Sequence, residues 1–300
     1  MISNHERYVA FKEKQFEVWY NYSERILKSP VFKRIYASLA SLDLKGNLDT
    51  RDEQIDLLKL KRNVLLMSKS VLEGVNTEVE IIAKDDVQRI LSLAKTGFSR
   101  EKWEREALRI SRVGSIFDIP LEKTHKFDSS IYHIECRVAA YRKQLFSYIE
   151  IGTPYDPVLA EAEYAHELGH ALIARNIDSL LNPLFDEYIS MFLELLYLFF
   201  SKDNLYGFKI KCVDRILDCQ ENGKSTLLEL RYLFSSLLTF ITLEQFLEFS
   251  SKDRNEMLMK IKKVLNGQMT VENFLDEYNF NLETDRSEML VNKMIDRIHI

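Results

Sequence analysis

The sequence predicts a mainly α-helical fold with one small β-sheet, on three observations. Its 300 residues hold nine Gly and five Pro, well under the usual share of about 12% for the two together. Sandwiches, barrels and propellers need turn signals at short intervals, and this chain does not carry them. Apolar residues recur at helical spacing over long stretches, and a single segment, Leu145 to Ile151, mixes aromatic and aliphatic groups with polar ones as a strand does. The hydrophobic share of 46% and charged share of 29% are those of a globular chain able to bury a sizeable core.

In chain order, residues 5–28 and 31–42 read as helices broken at Ser29-Pro30, and Gly46-Asn47 makes a turn. Ile55, Leu58, Leu60, Val64, Leu65 and Val71 form a helical stripe over 50–72. Asp85 to Ala94 and Ser99 to Ile110 are two more helices, the second with Ser99 as N-cap. Residues 1–110 thus form an N-terminal helical region, and 111–300 the region that carries chemistry, in one continuous domain or two. Val113-Gly114 and Ile119-Pro120 mark loops, and His133 to Arg142 reads as a short helix. The strand 145–151 ends at the double-proline turn Gly152 to Pro157, and a helix follows from about Val158. A second helix begins near Leu184 after Asn182-Pro183, a third spans 226–249, and the tail from Val271 to Ile300 reads as two short helices around 279–283.

The first of these later helices contains His166-Glu167-Leu168-Gly169-His170, the pattern His-Glu-x-x-His. Residues four apart on a helix lie one turn apart on one face. Two imidazoles so placed can reach one Zn²⁺ at about 2.0–2.1 Å. The Glu beside the first His points next to the metal's open position, where it can take a proton from water and return it to a leaving amine. Two ordinary histidines at helical spacing are the alternative. A third ligand of the extended His-Glu-x-x-His-x-x-Gly-x-x-His type is excluded, since residue 176 is Asn and residue 173 is Ile. His5, His125, His133 and His299 lie in no matching context, so a carboxylate is favoured. Glu187 and Glu194 are seven apart, on one face of an otherwise apolar helix, where a carboxylate is costly to bury unless paired or coordinated. Glu187 reads as a ligand, or as an exposed first-turn residue favoured by the helix dipole. Glu194 reads as a carboxylate that orients a His ligand from behind, or as a plain core or surface residue.

His166-Glu-Leu-Gly-His170 followed by Glu187-x-x-Ser190-x-x-x-Glu194 resembles the thimet-oligopeptidase-like zinc peptidases, most closely their oligoendopeptidase F branch. The resemblance covers about residues 145–200. It implies a gluzincin-like multi-helix zinc peptidase fold, one Zn²⁺ per chain held by His166, His170 and Glu187, water in the fourth position and Glu167 as the base. It also implies a peptide substrate pairing with the strand 145–151, through Ser147, Tyr148 and Ile149, and an oxyanion donor for which Tyr232 is the candidate; the other reading of Tyr232 is an aromatic in the core of helix 226–249. Tyr206 is a weaker candidate. Seventeen residues separate His170 from Glu187, fewer than the family usually has, and the chain is shorter than its members.

The remaining features read as structural. Cys212 and Cys219 share a helix face, the basic cluster Lys209, Lys211 and Arg215 reads as a solvated face, and His133 and Cys136 complete no metal set. Three cysteines without Cys-x-x-Cys spacing and the lack of a recognisable signal segment give the expectation of a cytoplasmic protein. The net charge of −5 gives no attraction to nucleic acid or anionic membranes. Five of the fourteen breakers, Gly152, Pro154, Pro157, Gly169 and Pro183, frame residues 152–183, with Gly169 expected to let the strand approach. The functional expectation is a zinc metallopeptidase acting on oligopeptides. Its alternatives are a regulatory protease resembling the antirepressor-cleaving ImmA type, and a non-catalytic helical interaction protein with a degenerate zinc site.

Overall fold

Helix α4 sets the middle of the fold, and its composition says why. In a computed structural model that describes residues 4–42, 62–64, 72–75, 80–83, 134–141, 144–151, 157–173, 182–200, 205–222 and 230–299, the elements run α1 (Asn4–Lys28), α2 (Pro30–Ala40), β1 (Glu80–Ala83), β2 (Ile134–Tyr141), β3 (Gln144–Ile151), α3 (Pro157–Ile173), α4 (Pro183–Phe200), α5 (Leu205–Asn222), α6 (Leu230–Glu248), α7 (Ser251–Leu265), α8 (Val271–Glu277) and α9 (Asp285–His299). From Leu184 to Leu198, α4 is buried on every side except at Asp186. A helix apolar all round belongs in the centre of a domain. Helix α6 is nearly as apolar and packs along α4. Helices α3, α5 and α9 surround this pair. The described residues are mainly helical, and none of their helices is long and apolar enough to cross a membrane.

The N-terminal helices join the same core. Ser29 caps α2, its side chain accepting from the Phe32 N–H, and Pro30 takes the first helical position, where its missing N–H costs nothing. Phe32 meets Phe234 of α6 edge-on at 5.2 Å, and Trp19 of α1 lies 5.7 Å from the same ring. Arg34 of α2 binds Asp285 and Glu288 of α9. Residues from both sides of position 110 therefore share one hydrophobic cluster. Of the helix expected over 50–72, residues 62–64 and 72 are described, and are helical. The helices expected over 85–94 and 99–110 lie outside the described residues.

Three strands form a sheet in the order β1-β3-β2, with β1 parallel and β2 antiparallel to β3. Two expectations are corrected here. Residues 134–141 are a strand, not a short helix: Ile134, Cys136 and Val138 alternate with Glu135 and Arg137, the period of two that a helix cannot use. And β3 is the central strand. Tyr148 is opposite Glu80 on one side and Arg137 on the other, and Ile149 is opposite Ile81 and Cys136. A substrate cannot add to a strand paired on both edges, so Tyr148 and Ile149 do not offer the pairing surface expected of them; Ser147 is engaged by Val138 of β2. The sheet lies against α3 through β2 and β3.

The C-terminal third has one helix more than the sequence suggests. Residues 251–265, unassigned from the sequence, form α7, started by the Ser250 cap, whose side chain accepts from the Asp253 N–H. Asn279 takes a positive φ of 55° between α8 and α9, a conformation Asn tolerates.

Candidate metal centre

The site is built where α3 and α4 cross. Pro157 opens α3, and Ala160, Ala162, Ala165, Leu168 and Leu172 bury it against the core. Asn182 starts α4: its side-chain oxygen accepts from the Leu184 N–H at 3.1 Å, with Pro183 in the first helical position. The helices come into close contact at Gly169. A Cβ there would lie 2.6 Å from Ser190 Cα and 2.9 Å from Ser190 Oγ. The missing side chain thus admits helix α4, not the strand. The Ser190 hydroxyl donates to the Asp186 carbonyl at 3.0 Å.

This close crossing sets three donor atoms together. His166 Nε2 and His170 Nε2 are 3.1 Å apart. Glu187 Oε2 is 3.9 Å from the first and 3.7 Å from the second. Tetrahedral ligand atoms about 2.0–2.1 Å from one zinc lie about 3.3 Å from one another. The three atoms need to move by only a few tenths of an ångström to meet that geometry. Glu187 is buried, 7% exposed, which excludes the solvent-exposed reading of it. Glu167 is also buried, and its carboxylate joins His166 and His170 in one cluster with ligand atoms within 4.8 Å of one another.

The far nitrogens of both imidazoles face carboxylates. His170 Nδ1 is 2.7 Å from Asp186 Oδ1. His166 Nδ1 is 3.5 Å from Glu194 Oε2. A carboxylate at Nδ1 favours the tautomer with the ring proton there and the Nε2 lone pair outward. Asp186 is within hydrogen-bond reach to do this for His170, whereas His166 Nδ1 makes no hydrogen bond and faces Glu194 only at ion-pair distance. Two such lone pairs 3.1 Å apart repel each other unless a cation stands between them. In the metal-free chain a proton can serve. Burial works against charging His170, but Asp186, Glu187 and Glu167 outweigh it and push its imidazole up to about 10. Among the described residues, the carboxylates of Glu167, Asp186 and Glu187 lie about the two imidazoles, and Arg231 Nη2 lies 3.6 Å from Glu187 Oε1.

Glu194 is the most buried of these acids, 0% exposed. Burial alone would raise its carboxyl, but Arg215 and Lys211 hold it well below the usual carboxylate range. Arg215 Nη2 is 2.5 Å from its Oε2 and Lys211 Nζ 3.1 Å from its Oε1. This overturns the solvated reading of that basic cluster: Lys211 is buried and Arg215 half-buried, both pointing inward. Tyr232 is half-buried rather than in the core. Its hydroxyl accepts from Arg231 Nη2 at 2.6 Å, and the same nitrogen is 3.6 Å from Glu187 Oε1. Burial and the Glu187 charge raise the Tyr232 phenol, so it stays protonated. The side chains of Ser147, Tyr148, Ile149 and Tyr206 lie outside the described residues.

Four participants escape the sequence reading: Asp186, Arg231, Lys211 and Arg215. Asp186 and Arg231 are chain neighbours of Glu187 and Tyr232, and adjacency was the only signal. Lys211 and Arg215 are four apart on α5, on one face beside Phe208, Cys212 and Ile216. An apolar stripe flanked by two cations is equally the mark of a surface helix, so nothing local gave them away. Compared with known proteins, the chain matches no family model, no curated protein and no solved structure.

Proposed function

We propose that this chain is a zinc metallopeptidase of gluzincin-like architecture that hydrolyses oligopeptides, with one Zn²⁺ held by His166, His170 and Glu187. The observation that supports it is the convergence of His166 Nε2, His170 Nε2 and Glu187 Oε2 beside the Glu167 carboxylate. Three protein donors with a spare carboxylate alongside is the composition of a catalytic site, whereas structural sites use four ligands. Bound there, Zn²⁺ supplies Lewis acidity toward water and toward a peptide carbonyl.

The rest falls to the chain's own groups. Glu167 takes the proton of the attacking water and delivers it to the leaving amine nitrogen, and no covalent intermediate is needed. Arg231 donates to the Tyr232 oxygen, which leaves the Tyr232 O–H free to donate toward the carbonyl oxygen as it gains charge. The peptide lies along β2: its outer edge has no strand partner among the described residues, and β2 packs directly on α3.

Glu167→Gln tests this reading. It is expected to keep about one zinc per chain while losing cleavage of a mixed oligopeptide pool. Glu187→Gln is expected to lose more zinc affinity than Glu194→Gln; the reverse order moves the third ligand to Glu194. A folded wild-type chain without zinc affinity refutes the proposal.

A further inference from the structure

Behind His166, on the side away from the proposed metal, lies a group of four charges, Lys211 and Glu194 buried and Glu163 and Arg215 half-buried, that peptide hydrolysis does not use. Lys211 is 6% exposed and pairs with both Glu163 and Glu194. Arg215 pairs with the other oxygen of Glu194. Withdrawing ions from water costs several kcal/mol each, and such clusters seldom stabilise a fold better than apolar side chains of the same volume. Their effect is instead directional. Each oxygen of Glu194 faces a different cation, Oε2 by a hydrogen bond from Arg215 and Oε1 by an ion pair with Lys211, which restrains the carboxylate plane. Its Oε2 is thereby kept 3.5 Å from His166 Nδ1. Both cations come from α5, one turn apart, and both acids come from the two helices that build the site, Glu163 from α3 and Glu194 from α4.

We propose that Lys211 and Arg215 are positioning residues, which lock the Glu194 carboxylate so that it aims the His166 imidazole at the metal, and that Lys211, through Glu163, also holds α3 in register with α4. This rests on the zinc reading above. The two cations touch neither substrate nor metal; they act through Glu194. Groups at this remove from a metal typically alter its affinity by 10–100-fold when removed.

Cobalt(II) binding to the full chain, followed by its visible absorption, tests this. Wild type is expected to bind Co²⁺ with the strong absorption of a four-coordinate site. Lys211→Met is expected to weaken Co²⁺ and Zn²⁺ affinity by about 10–100-fold and to alter the spectrum, with Lys211→Arg recovering most of both. The double variant Glu163→Gln/Lys211→Met removes the cation together with its outer partner, so it leaves no unpaired acid at position 163. It is expected to keep the far-UV circular dichroism of the folded chain and to show the same metal defect. Wild-type affinity and spectrum in that folded double variant would overturn the positioning role while leaving the zinc reading intact. Absence of Co²⁺ and Zn²⁺ binding by wild type would overturn the zinc reading, and this proposal with it.

Discussion

Gly169→Ala is the smallest change that tests the helix crossing on which the site depends. The added Cβ would meet Ser190 Cα at 2.6 Å. Carbon–carbon contacts are comfortable at about 3.5–4.0 Å, so α3 and α4 must part by about 1 Å. The obstacle is backbone, so no rotamer change relieves it. Overpacking of this kind costs about 1–3 kcal/mol, at the upper end here. The better helix propensity of Ala returns about 1 kcal/mol. The net expectation is a loss of about 2 kcal/mol in urea unfolding of the metal-free chain, followed by far-UV circular dichroism. The larger effect is on the metal. Zinc sites tolerate about 0.2 Å in ligand distance, and the parting carries Glu187 away from both imidazoles, so zinc affinity should fall at least about 10-fold. Ser190→Ala added to Gly169→Ala removes the 2.9 Å contact with the hydroxyl but not the one with Cα, so it should recover little. A Gly169→Ala chain as stable as wild type with unchanged zinc affinity would refute the crossing.

Three further outcomes are expected. Asp186→Asn keeps a hydrogen-bond acceptor at His170 Nδ1 but removes the charge; zinc affinity measured by chelator competition should fall about 10-fold, with the urea midpoint nearly unchanged because Asp186 is partly exposed. Arg297→Ala strips the two-pronged partner from the buried Glu244; stability should drop by about 1–2 kcal/mol, less than for a fully buried pair because water reaches the guanidinium, and zinc affinity should not change. Burial pushes the Cys212 thiol up, and the neighbouring Glu194 charge adds to this. Raising pH from 7 to about 9, which deprotonates an ordinary thiol, should therefore leave Cys212 unalkylated in the folded chain, as read by peptide mass mapping; labelling at the same rate as in urea would show that the thiol is not enclosed.

The helices were legible where their signal is local. Pro30, Pro157 and Pro183 each stand in the first position of a helix, and Ser29 caps as its residue type suggests. The pair His166 and His170 was legible because helical spacing alone brings their ring nitrogens together. The strand over 134–141 was misread because its alternation lasts only from Ile134 to Val138, and the following Ala139-Ala140 is a pair that favours helix. Helix α7 went unassigned because its buried positions, Met257, Leu258, Ile261, Val264 and Leu265, form a narrow stripe in a charged segment.

The sequence by itself determined that the chain is mainly helical, that two imidazoles and a carboxylate lie on one turn of α3, and that Glu187 and Glu194 share a face of α4. These follow from backbone geometry, which repeats every 3.6 residues whatever surrounds it. Only the tertiary structure decided what those side chains meet. It put Ser190 rather than a strand against Gly169, enclosed β3 between two neighbours, turned Lys211 and Arg215 inward onto Glu194, and set Arg231 between Tyr232 and Glu187. Each of these joins segments far apart in the chain, and whether a charged side chain faces water or a buried partner depends on which helix packs over it, which no local pattern records.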